Sequence, residues 1–262
     1  MRAHLVQLDI AWERPEENFR RVEALLGGAD IREGDLVLLP EMFATGFSLH
    51  TDVTADKHGE TLTFLARLAE DLGCYVQGGR TVRDCHCAKA QNRMSVLDPA
   101  GSLACEYAKV HPFSFGREPE QFEGGGRVET WAWRSGGQTA LVCPAVCYDL
   151  RFPELFRIGA SRGAEVFALG ACWPEARQHH WRALAIARAI ENQAFMLAAN
   201  RTGADPHLRY AGGSIAVDPL GGVIGELGDE EAVLTVSLEM GELRAWRERF
   251  PALRDLRLRE IG

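Results

Sequence analysis

Short, continuous runs of apolar residues constrain the fold of this chain more than any other feature. Residues 36–39 read Leu-Val-Leu-Leu and stop at Pro40, and residues 140–147 form a second strand-like run that breaks at once into polar residues. Runs of this length that end at turn or polar residues are typical of strands covered on both faces. The chain is therefore predicted to place its strands between layers of other elements.

Segments with helical periodicity alternate with these strands. In each of them apolar residues recur three or four positions apart, and Gly73 ends one of the segments in the manner of a helix cap. The predicted helices cover residues 14–28, 59–72, 153–163 and 176–193. A last helical segment begins at residue 242 and is interrupted by Pro251.

Two segments share one local pattern, in which a serine and apolar residues precede Asp-Pro, a turn residue and glycine. They begin at Ser95 and Ser214, and each predicts a hairpin in one of two similar halves. Strands that alternate with helices and include such hairpins predict a layered α/β protein of mixed sheets, packed sheet on sheet with helices outside. No linker-like stretch divides the chain, so a single domain over residues 1–262 is expected.

The acidic composition narrows the classes of function. A net charge of −8 and the lack of any run of Lys or Arg argue against a nucleic-acid binder, since phosphate contacts depend on clustered cations. No window approaches the roughly 20 apolar residues of a membrane span, and Glu13 interrupts the start too early for a signal peptide. The seven cysteines fit reduced thiols rather than a disulfide framework. We therefore expect a cytoplasmic protein without nucleic-acid or membrane partners.

Three ionisable residues share one position relative to predicted strands. Glu41 follows the run at 36–39, Lys109 ends the second strand of the first hairpin, and Cys147 ends the run at 140–147. A carboxylate can take the proton of a thiol, and an ammonium group can stabilise the oxyanion that forms when the thiolate attacks a carbonyl. Taken singly, each residue has an ordinary alternative: a packed thiol, a solvated carboxylate or a surface charge. Their shared position favours a common site.

The segments around these residues resemble the nitrilase, or carbon-nitrogen hydrolase, superfamily. LPEMFATGFS at 39–48, EYAKVHPF at 106–113 and CPAVCYDLRFPELF at 143–156 are similar to its glutamate, lysine and cysteine motifs, and further motifs follow in family order. The resemblance implies a four-layer αββα sandwich of two mixed β-sheets flanked by helices. It also implies catalytic roles for Glu41, Lys109 and Cys147, no metal or organic cofactor, and a homodimer or higher homo-oligomer.

The resemblance extends to a fourth acidic residue. Glu118 falls where the family often places a glutamate that positions the lysine or the attacking water, and Glu120 is the near alternative. Without the resemblance, a solvated loop carboxylate is the plainer interpretation of either residue. The backbone N–H of Tyr148 is expected to join Lys109 in stabilising the oxyanion.

Among the branches of the superfamily, the motifs look most like omega-amidases, which hydrolyse the side-chain amide of 2-oxoglutaramate and 2-oxosuccinamate. A small-molecule amide that carries a carboxylate needs a local cation, and Arg151 and Arg177 are the candidates, with Trp173 beside them. A structural salt bridge is the alternative for either arginine. Another amidase, an N-carbamoyl-amide hydrolase, a nitrilase and an inactive binding or scaffold member remain the alternative functions.

Other polar clusters are interpreted as ordinary structure. Cys85-His86-Cys87 lacks the usual CxxC pairing of zinc sites and is predicted to be a loop. His179 and His180 are adjacent and are expected on different sides of a helix, unlike a metal-binding pair. Two tryptophans, Trp131 and Trp133, are predicted to form the packing face of a strand. No metal site is therefore predicted.

Overall fold

Two six-stranded sheets form the centre of the molecule in the computed structural model, which describes residues 1–83 and 88–257. The strands are β1 (Arg2–Gln7), β2 (Leu36–Leu38), β3 (Tyr75–Val82), β4 (Gln91–Leu97), β5 (Leu103–Ala108), β6 (Trp131–Ser135), β7 (Gln138–Val146), β8 (Val166–Ala171), β9 (Phe195–Asn200), β10 (Thr202–Ala204), β11 (Arg209–Ala211), β12 (Ile215–Val217), β13 (Val223–Glu226) and β14 (Ala232–Ser237). The segment Cys85-His86-Cys87 lies outside the described residues.

Helices connect the strands and cover the sheets. They are α1 (Pro15–Leu26), α2 (Thr51–Thr54), α3 (Glu60–Leu72), α4 (Glu118–Gln121), α5 (Pro153–Ser161), α6 (Gln178–Asn192) and α7 (Met240–Arg249). Short 3-10 turns cover Ser114–Gly116, Cys147–Arg151, Glu175–Arg177 and Ala252–Asp255. No helix within residues 1–83 and 88–257 combines the length and the hydropathy that a membrane span needs.

Both sheets are mixed and follow one plan. The first has the strand order β14-β1-β2-β3-β4-β5, and the second has the order β13-β12-β9-β8-β7-β6. In each sheet three neighbouring strands run parallel, β1 to β3 in one and β7 to β9 in the other, and antiparallel strands flank them. The predicted mixed sheets are confirmed.

Four layers are visible in the distribution of buried side chains. Residues such as Leu5, Trp133 and Leu197 fill the space between the two sheets. Outside the first sheet, α1 and α3 pack their apolar faces against it, and α5 and α6 do the same outside the second sheet. The predicted αββα sandwich is confirmed, and Trp131 and Trp133 pack between the sheets as expected.

The two hairpins predicted from the repeat close with the same bonds. In β4–β5, the Asp98 N–H donates to the Ser102 carbonyl, and the carboxylate Oδ1 of Asp98 accepts the N–H of Ala100 and of Ser102. In β12–β13, Asp218 repeats each bond with Leu220 and Gly222. The hairpins also occupy equivalent places, each beside the last of three parallel strands. These shared features support the prediction of two similar halves.

One strand of the first sheet was not predicted from the sequence. The edge strand β14 pairs antiparallel with β1, and Val236 lies opposite Ala3. Most of its residues are only half-buried or exposed, and its continuous apolar run, residues 232–234, is shorter than the runs that mark the central strands. The predicted helix in the tail is present as α7, and it ends at Arg249, before Pro251.

Candidate active site

Glu41, Lys109 and Cys147 meet at one end of the two sheets. They follow β2, β5 and β7, whose last residues are Leu38, Ala108 and Val146. The Nζ of Lys109 lies 2.8 Å from Oε1 of Glu41, and Lys109 and Cys147 line the same cavity. All three side chains are buried. The structure therefore brings together the three residues that the sequence placed at strand ends.

Lys109 lies between two carboxylates. Its Nζ donates to Glu41 and also to Glu118, at 2.8 Å from Oε2. The side-chain amide of Asn92 donates to the same two residues, at 2.7 Å from Glu41 Oε1 and 3.0 Å from Glu118 Oε1. Glu118 begins α4 and accepts the Phe113 N–H as well. The two carboxylates are thereby fixed relative to the ammonium group.

The alternative of Glu120 is not supported by the structure. Its side chain is half exposed and pairs with Arg117, three residues away on the surface. Glu118, by contrast, is fully buried against Lys109. The position expected from the resemblance is therefore the one that reaches the site.

Backbone packing holds Glu41 between the sheets. A Cβ on Gly79 of β3 would lie 2.6 Å from the Met42 nitrogen and 2.8 Å from the Glu41 Cα, and a Cβ on Gly170 of β8 would lie 2.5 Å from the Leu39 carbonyl oxygen. Both positions therefore need glycine for this close approach. Oε2 of Glu41 accepts the backbone N–H of Cys172, which follows β8, at 3.0 Å.

Cys147 occupies a strained turn. Its φ is 44°, in the left-handed region that non-glycine residues seldom adopt, and the 3-10 turn Cys147–Arg151 begins at this residue. Such conformations persist where the surrounding structure over-determines them, and they cluster at functional sites. The turn breaks the line of β7 and keeps the thiol at the cavity wall.

The charges of the site keep the resting thiol protonated. Burial raises the pKa of Cys147 well above its ordinary value, Glu41 raises it further, and Lys109 offsets only part of this shift. Burial opposes the charged form of Lys109, but Glu118 and Glu41 outweigh it and raise the pKa of Lys109. The arrangement therefore combines a fixed ammonium group with a neutral thiol beside a carboxylate, and a thiol in this state can act as a nucleophile only if a base removes its proton.

The cavity in front of Cys147 has a volume of about 440 Å³. Its wall is largely aromatic, as in most small-molecule sites. The aromatic residues that line it include Trp12, Phe47, Phe113, Phe115, Tyr148 and Trp173.

Three arginines line this cavity: Arg117, whose guanidinium group pairs with Glu120, and two whose guanidinium groups lie over aromatic rings. That of Arg151 lies over the Trp173 ring at 4.8 Å, and that of Arg177 lies over the Phe113 ring at 5.4 Å. In the part of the chain that the structure describes, neither has a carboxylate partner; Nη2 of Arg151 lies 3.3 Å from Nδ1 of His180. Burial, His179 and Arg151 lower the pKa of His180, so its neutral ring accepts this bond. A salt bridge is thus not the role of either arginine in the described residues.

The expectation for the adjacent histidines was wrong. The rings of His179 and His180 lie 4.0 Å apart instead of on different sides of α6. Adjacent helical positions are only about 100° apart, so two long side chains can lean towards each other. Within residues 1–83 and 88–257, no three His, Cys, Asp or Glu side chains are grouped as metal ligands.

Three residues of the site were not predicted from the sequence. Asn92 lies within β4, where only the pairing of β4 with β5 places it beside Lys109. Cys172 follows β8 and reaches the site because β8 lies next to β7. Asp149 lies two residues after Cys147, inside a turn, so the strand-end pattern does not mark it. No sequence signal singles out Asn92 in advance, because its neighbours Gln91 and Arg93 in β4 are polar as well.

Comparison with known proteins places this geometry among characterised enzymes. A sequence model described as carbon-nitrogen hydrolase matches residues 2–248. The chain is 34% identical over 257 residues to a 2-oxoglutaramate amidase from Bacillus subtilis (strain 168), and the match covers 96% of each chain.

Two solved structures share the fold, and each contains a chemical group in its active site. XC1258 from Xanthomonas campestris, a CN-hydrolase superfamily protein with an arsenic adduct in its active site, matches with a TM-score of 0.92 and 35% identity over 100% of this chain and 99% of that one. A variant of the amidase from Nesterenkonia sp. AN1 carries the acetamide moiety of fluoroacetamide on its active-site cysteine. It matches with a TM-score of 0.81 and 26% identity over 95% of each chain.

Proposed function

The chain belongs to the carbon-nitrogen hydrolase family, and from this premise we propose that it is an omega-amidase. It is a hydrolase of carbon–nitrogen bonds other than peptide bonds, and its relatives identify it as an amidase of the nitrilase superfamily. The proposed substrate is a small amide that carries a carboxylate, such as 2-oxoglutaramate or 2-oxosuccinamate. Its terminal amide is hydrolysed to the acid and ammonia.

In the first half of the proposed reaction, Cys147 attacks the amide carbon. Glu41 takes the thiol proton as the sulfur–carbon bond forms, and this agrees with a raised pKa of Cys147 that leaves the resting thiol neutral. The ammonium of Lys109 and the Tyr148 backbone N–H stabilise the tetrahedral oxyanion. The carbon–nitrogen bond then breaks, the nitrogen takes the proton from Glu41, and ammonia leaves a thioester on Cys147.

The second half hydrolyses the thioester. Glu41 takes a proton from water, the hydroxyl attacks the thioester carbon, and the same donors stabilise the second oxyanion. The thiolate leaves and recovers its proton from Glu41. Glu118, which accepts a bond from Lys109 at 2.8 Å, keeps the ammonium group in place to stabilise the oxyanion in both halves. The chain's own side chains thus account for each proton.

One observation carries the choice of substrate: Arg151 and Arg177 face the cavity without a carboxylate partner among the described residues. A desolvated guanidinium is most strongly satisfied by a carboxylate, which it binds in bidentate fashion. The positive charges of these two guanidinium groups repel the α-ammonium group of an amino acid. The site therefore suits a 2-oxo acid amide better than glutamine or asparagine.

A panel of amides tests this proposal. We expect ammonia release from 2-oxoglutaramate and 2-oxosuccinamate, far slower release from glutamine, and none from N-carbamoyl amines or nitriles, with Cys147→Ala as the blank. Release from carbamoyl compounds or nitriles but not from the oxo-acid amides would contradict it. No turnover of any compound would favour an inactive binding member.

The role of Arg151 is tested by its substitution, with a second arginine as the control. Arg151→Gln should lower kcat/KM for 2-oxoglutaramate roughly 10- to 100-fold, the worth of a hydrogen bond between charged groups, and should leave a neutral aliphatic amide little changed. Arg182→Gln on α6 removes an exposed arginine that pairs with Glu226, and it should change neither substrate. Equal losses on both substrates would show that Arg151 does not bind the carboxylate.

We propose in addition that the protein acts in the cytoplasm as a homodimer or higher homo-oligomer. Exposed apolar side chains support assembly, because Ile190 and Leu220 are 50% and 65% exposed and belong to segments in contact at Gly221. Sedimentation of the purified protein measures the mass directly, and a monomer at micromolar concentration would contradict the proposed assembly.

A further inference from the structure

A second buried carboxylate lies two residues after Cys147 and takes no part in the proposed proton transfers. Asp149 is fully buried, and within the described residues its ion-pair partner is the ring of His111, with no Lys or Arg beside it. It accepts hydrogen bonds from the Tyr107 hydroxyl at 2.7 Å, the Val146 N–H at 3.0 Å, and the N–H and Nδ1 of His111 at 3.1 and 2.8 Å. Four donors therefore converge on one side chain.

These donors belong to the two segments that carry Lys109 and Cys147. Val146 directly precedes Cys147, and His111 is two residues beyond Lys109. The two segments come from different sheets, β5 in the first and β7 in the second. The Asp149 carboxylate thus joins the backbone on both sides of the active site across the boundary between the sheets.

Tyr107 and Phe152 extend the same connection. The Tyr107 hydroxyl, which donates to Asp149, accepts the N–H of Val110, the residue directly after Lys109, at 3.2 Å. Burial and Asp149 raise the pKa of Tyr107, so the hydroxyl keeps its proton and remains a donor. The His111 ring also stacks on Phe152, the residue after the nucleophile turn, with 3.7 Å between the ring centroids. Interactions therefore connect both ends of that turn with residues 107–111, the segment that contains Lys109.

We propose that Asp149 is a positioning residue of the amidase, which fixes the distance and direction between the Lys109 ammonium and the Cys147 thiol by holding their two backbone segments together. This inference rests on the proposed function, since it assumes that Lys109 and Cys147 act on the same reacting carbon. A misplacement of about 1 Å between reacting groups can lower a rate roughly 100-fold.

The pattern of bonds predicts that asparagine cannot replace Asp149. Each carboxylate oxygen accepts one backbone N–H, that of His111 on Oδ1 and that of Val146 on Oδ2. An amide has one oxygen, so its NH₂ group must face one of these N–H donors in either orientation. One of the two segments therefore loses its backbone hydrogen bond to residue 149.

Asp149→Asn and Tyr107→Phe test the proposal against a matched control, Asp35→Asn. Asp35 is also a buried carboxylate that accepts from a histidine ring, His4 Nε2 at 2.9 Å, and from a backbone N–H, that of Arg32 at 2.9 Å. It precedes β2, at the strand end opposite Glu41. Both bonds end on Oδ2, so the single oxygen of asparagine can keep them, and the control neutralises a buried carboxylate far from Cys147 without detaching a backbone segment.

We expect Asp149→Asn to lower kcat roughly 100-fold with little change in KM, and to slow the alkylation of Cys147 by iodoacetamide. Tyr107→Phe, which keeps both backbone attachments, should lower kcat about 10-fold. Asp35→Asn should lower the thermal midpoint and leave kcat and the alkylation rate as they are in the parent. Circular dichroism at the assay temperature establishes that each variant is folded.

Two results would overturn the proposal. One is a folded Asp149→Asn variant whose kcat and alkylation rate match those of Asp35→Asn. If Asp149→Asn does not fold, the other is a Tyr107→Phe variant that loses thermal stability but keeps the parent's kcat. Failure of the proposed function would look different from failure of this inference. The parent would then release no ammonia from any amide, and the alkylation rates would still show whether Asp149→Asn changes the position of Cys147.

Discussion

At the scale of single residues, the active site is organised by one cation between two carboxylates. Lys109 is fully buried, and an unpaired ammonium group in such a position is strongly disfavoured. Glu41 and Glu118 each accept a bond from it at 2.8 Å, and these contacts raise the pKa of Lys109 against the effect of burial. A thiolate at Cys147 would add negative charge to a site that already holds two carboxylates. In the proposed reaction, proton removal by Glu41 is therefore coupled to attack.

Glu118 is the residue at which this charge arrangement is most directly tested. Oε2 of Glu118 accepts from Lys109 and Phe113, and Oε1 accepts from Asn92. In Glu118→Gln, the NH₂ group faces a donor in either orientation, and Lys109 loses one of its two anionic partners. We expect kcat to fall by about 100-fold or more, and the free energy of unfolding to fall by about 3 kcal/mol, as for other broken buried pairs.

Glu120→Gln is the matched control for this change. Glu120 lies in the same short helix but is half exposed and pairs with Arg117 on the surface. The substitution should leave kcat and the denaturant midpoint unchanged. Equal kcat values for the two variants would remove Glu118 from the proposed site.

Residue identities at the site were predictable where they coincide with strand ends. Glu41 and Cys147 each follow an apolar run, and Lys109 ends the second strand of a hairpin that its turn residues mark, so local patterning locates these ends without knowledge of the fold. Asn92 lies inside β4, so its contact with Glu41 depends on the pairing of strands and on the approach of two sheets. Sequence periodicity contains neither kind of information, so such contacts emerge only from the assembled structure.

At the scale of elements, the position of Glu41 depends on how closely backbones approach. β3 and β8 come from different sheets, and each contributes a glycine, Gly79 and Gly170, where the chain after β2 passes. Protein interiors are packed as densely as organic crystals, so a methyl group at either place forces the backbone to move. The two sheets thus determine where the Glu41 carboxylate lies through contacts between backbones.

Gly79→Ala tests this dependence. The added Cβ would lie 2.6 Å from the Met42 nitrogen, a contact that no flexible side chain can relieve. We expect a loss of about 1–3 kcal/mol in the free energy of unfolding and a fall in kcat of about 10-fold or more, since Glu41 is displaced.

Gly126→Ala is the control, because nothing lies within 4 Å of the Cβ position at Gly126. Its kcat should equal that of the parent. Unfolding in urea measures the stability of both variants, and amide turnover measures their kcat. A Gly79→Ala protein with full activity would show that the backbone at Glu41 adapts without cost.

Elements with strong periodicity were predictable, and elements that depend on a distant partner were not. The predicted helix at 59–72 is α3, and the predicted strand at 36–39 is β2 with Leu39 continuing its bonding to Gln77. The edge strand β14 and the small β10–β11 ribbon escaped prediction because each is short or half exposed. Edge strands acquire their structure from the neighbour they pair with, here β1.

At the scale of the whole molecule, buried thiols link stability to pH. Cys74 lies after α3 and packs in the outer core layer of the first sheet, far from the proposed reaction. Burial raises its pKa from 9.0 to about 12, and Asp35 adds to the shift. The folded protein therefore keeps a proton on Cys74 at pH values where the unfolded chain releases it. The contribution of Cys74 to stability is therefore fully present below pH 9 and is lost as the pH rises from 9 towards 12.

Cys74→Ala should remove this part of the pH dependence. One ionisation contributes a slope of about 1.4 kcal/mol per pH unit, so the parent should lose about 2 kcal/mol more than the variant between pH 9 and pH 10.5. Val76→Ala, a truncation in the same core layer without an ionisable group, should lower the free energy of unfolding equally at every pH. Urea unfolding at pH 7.5, 9 and 10.5 gives the pH dependence of the free energy of unfolding for the parent and for the two variants. If Cys74→Ala and Val76→Ala both stay parallel to the parent, the Cys74 thiol ionises as readily in the folded protein as in the unfolded chain.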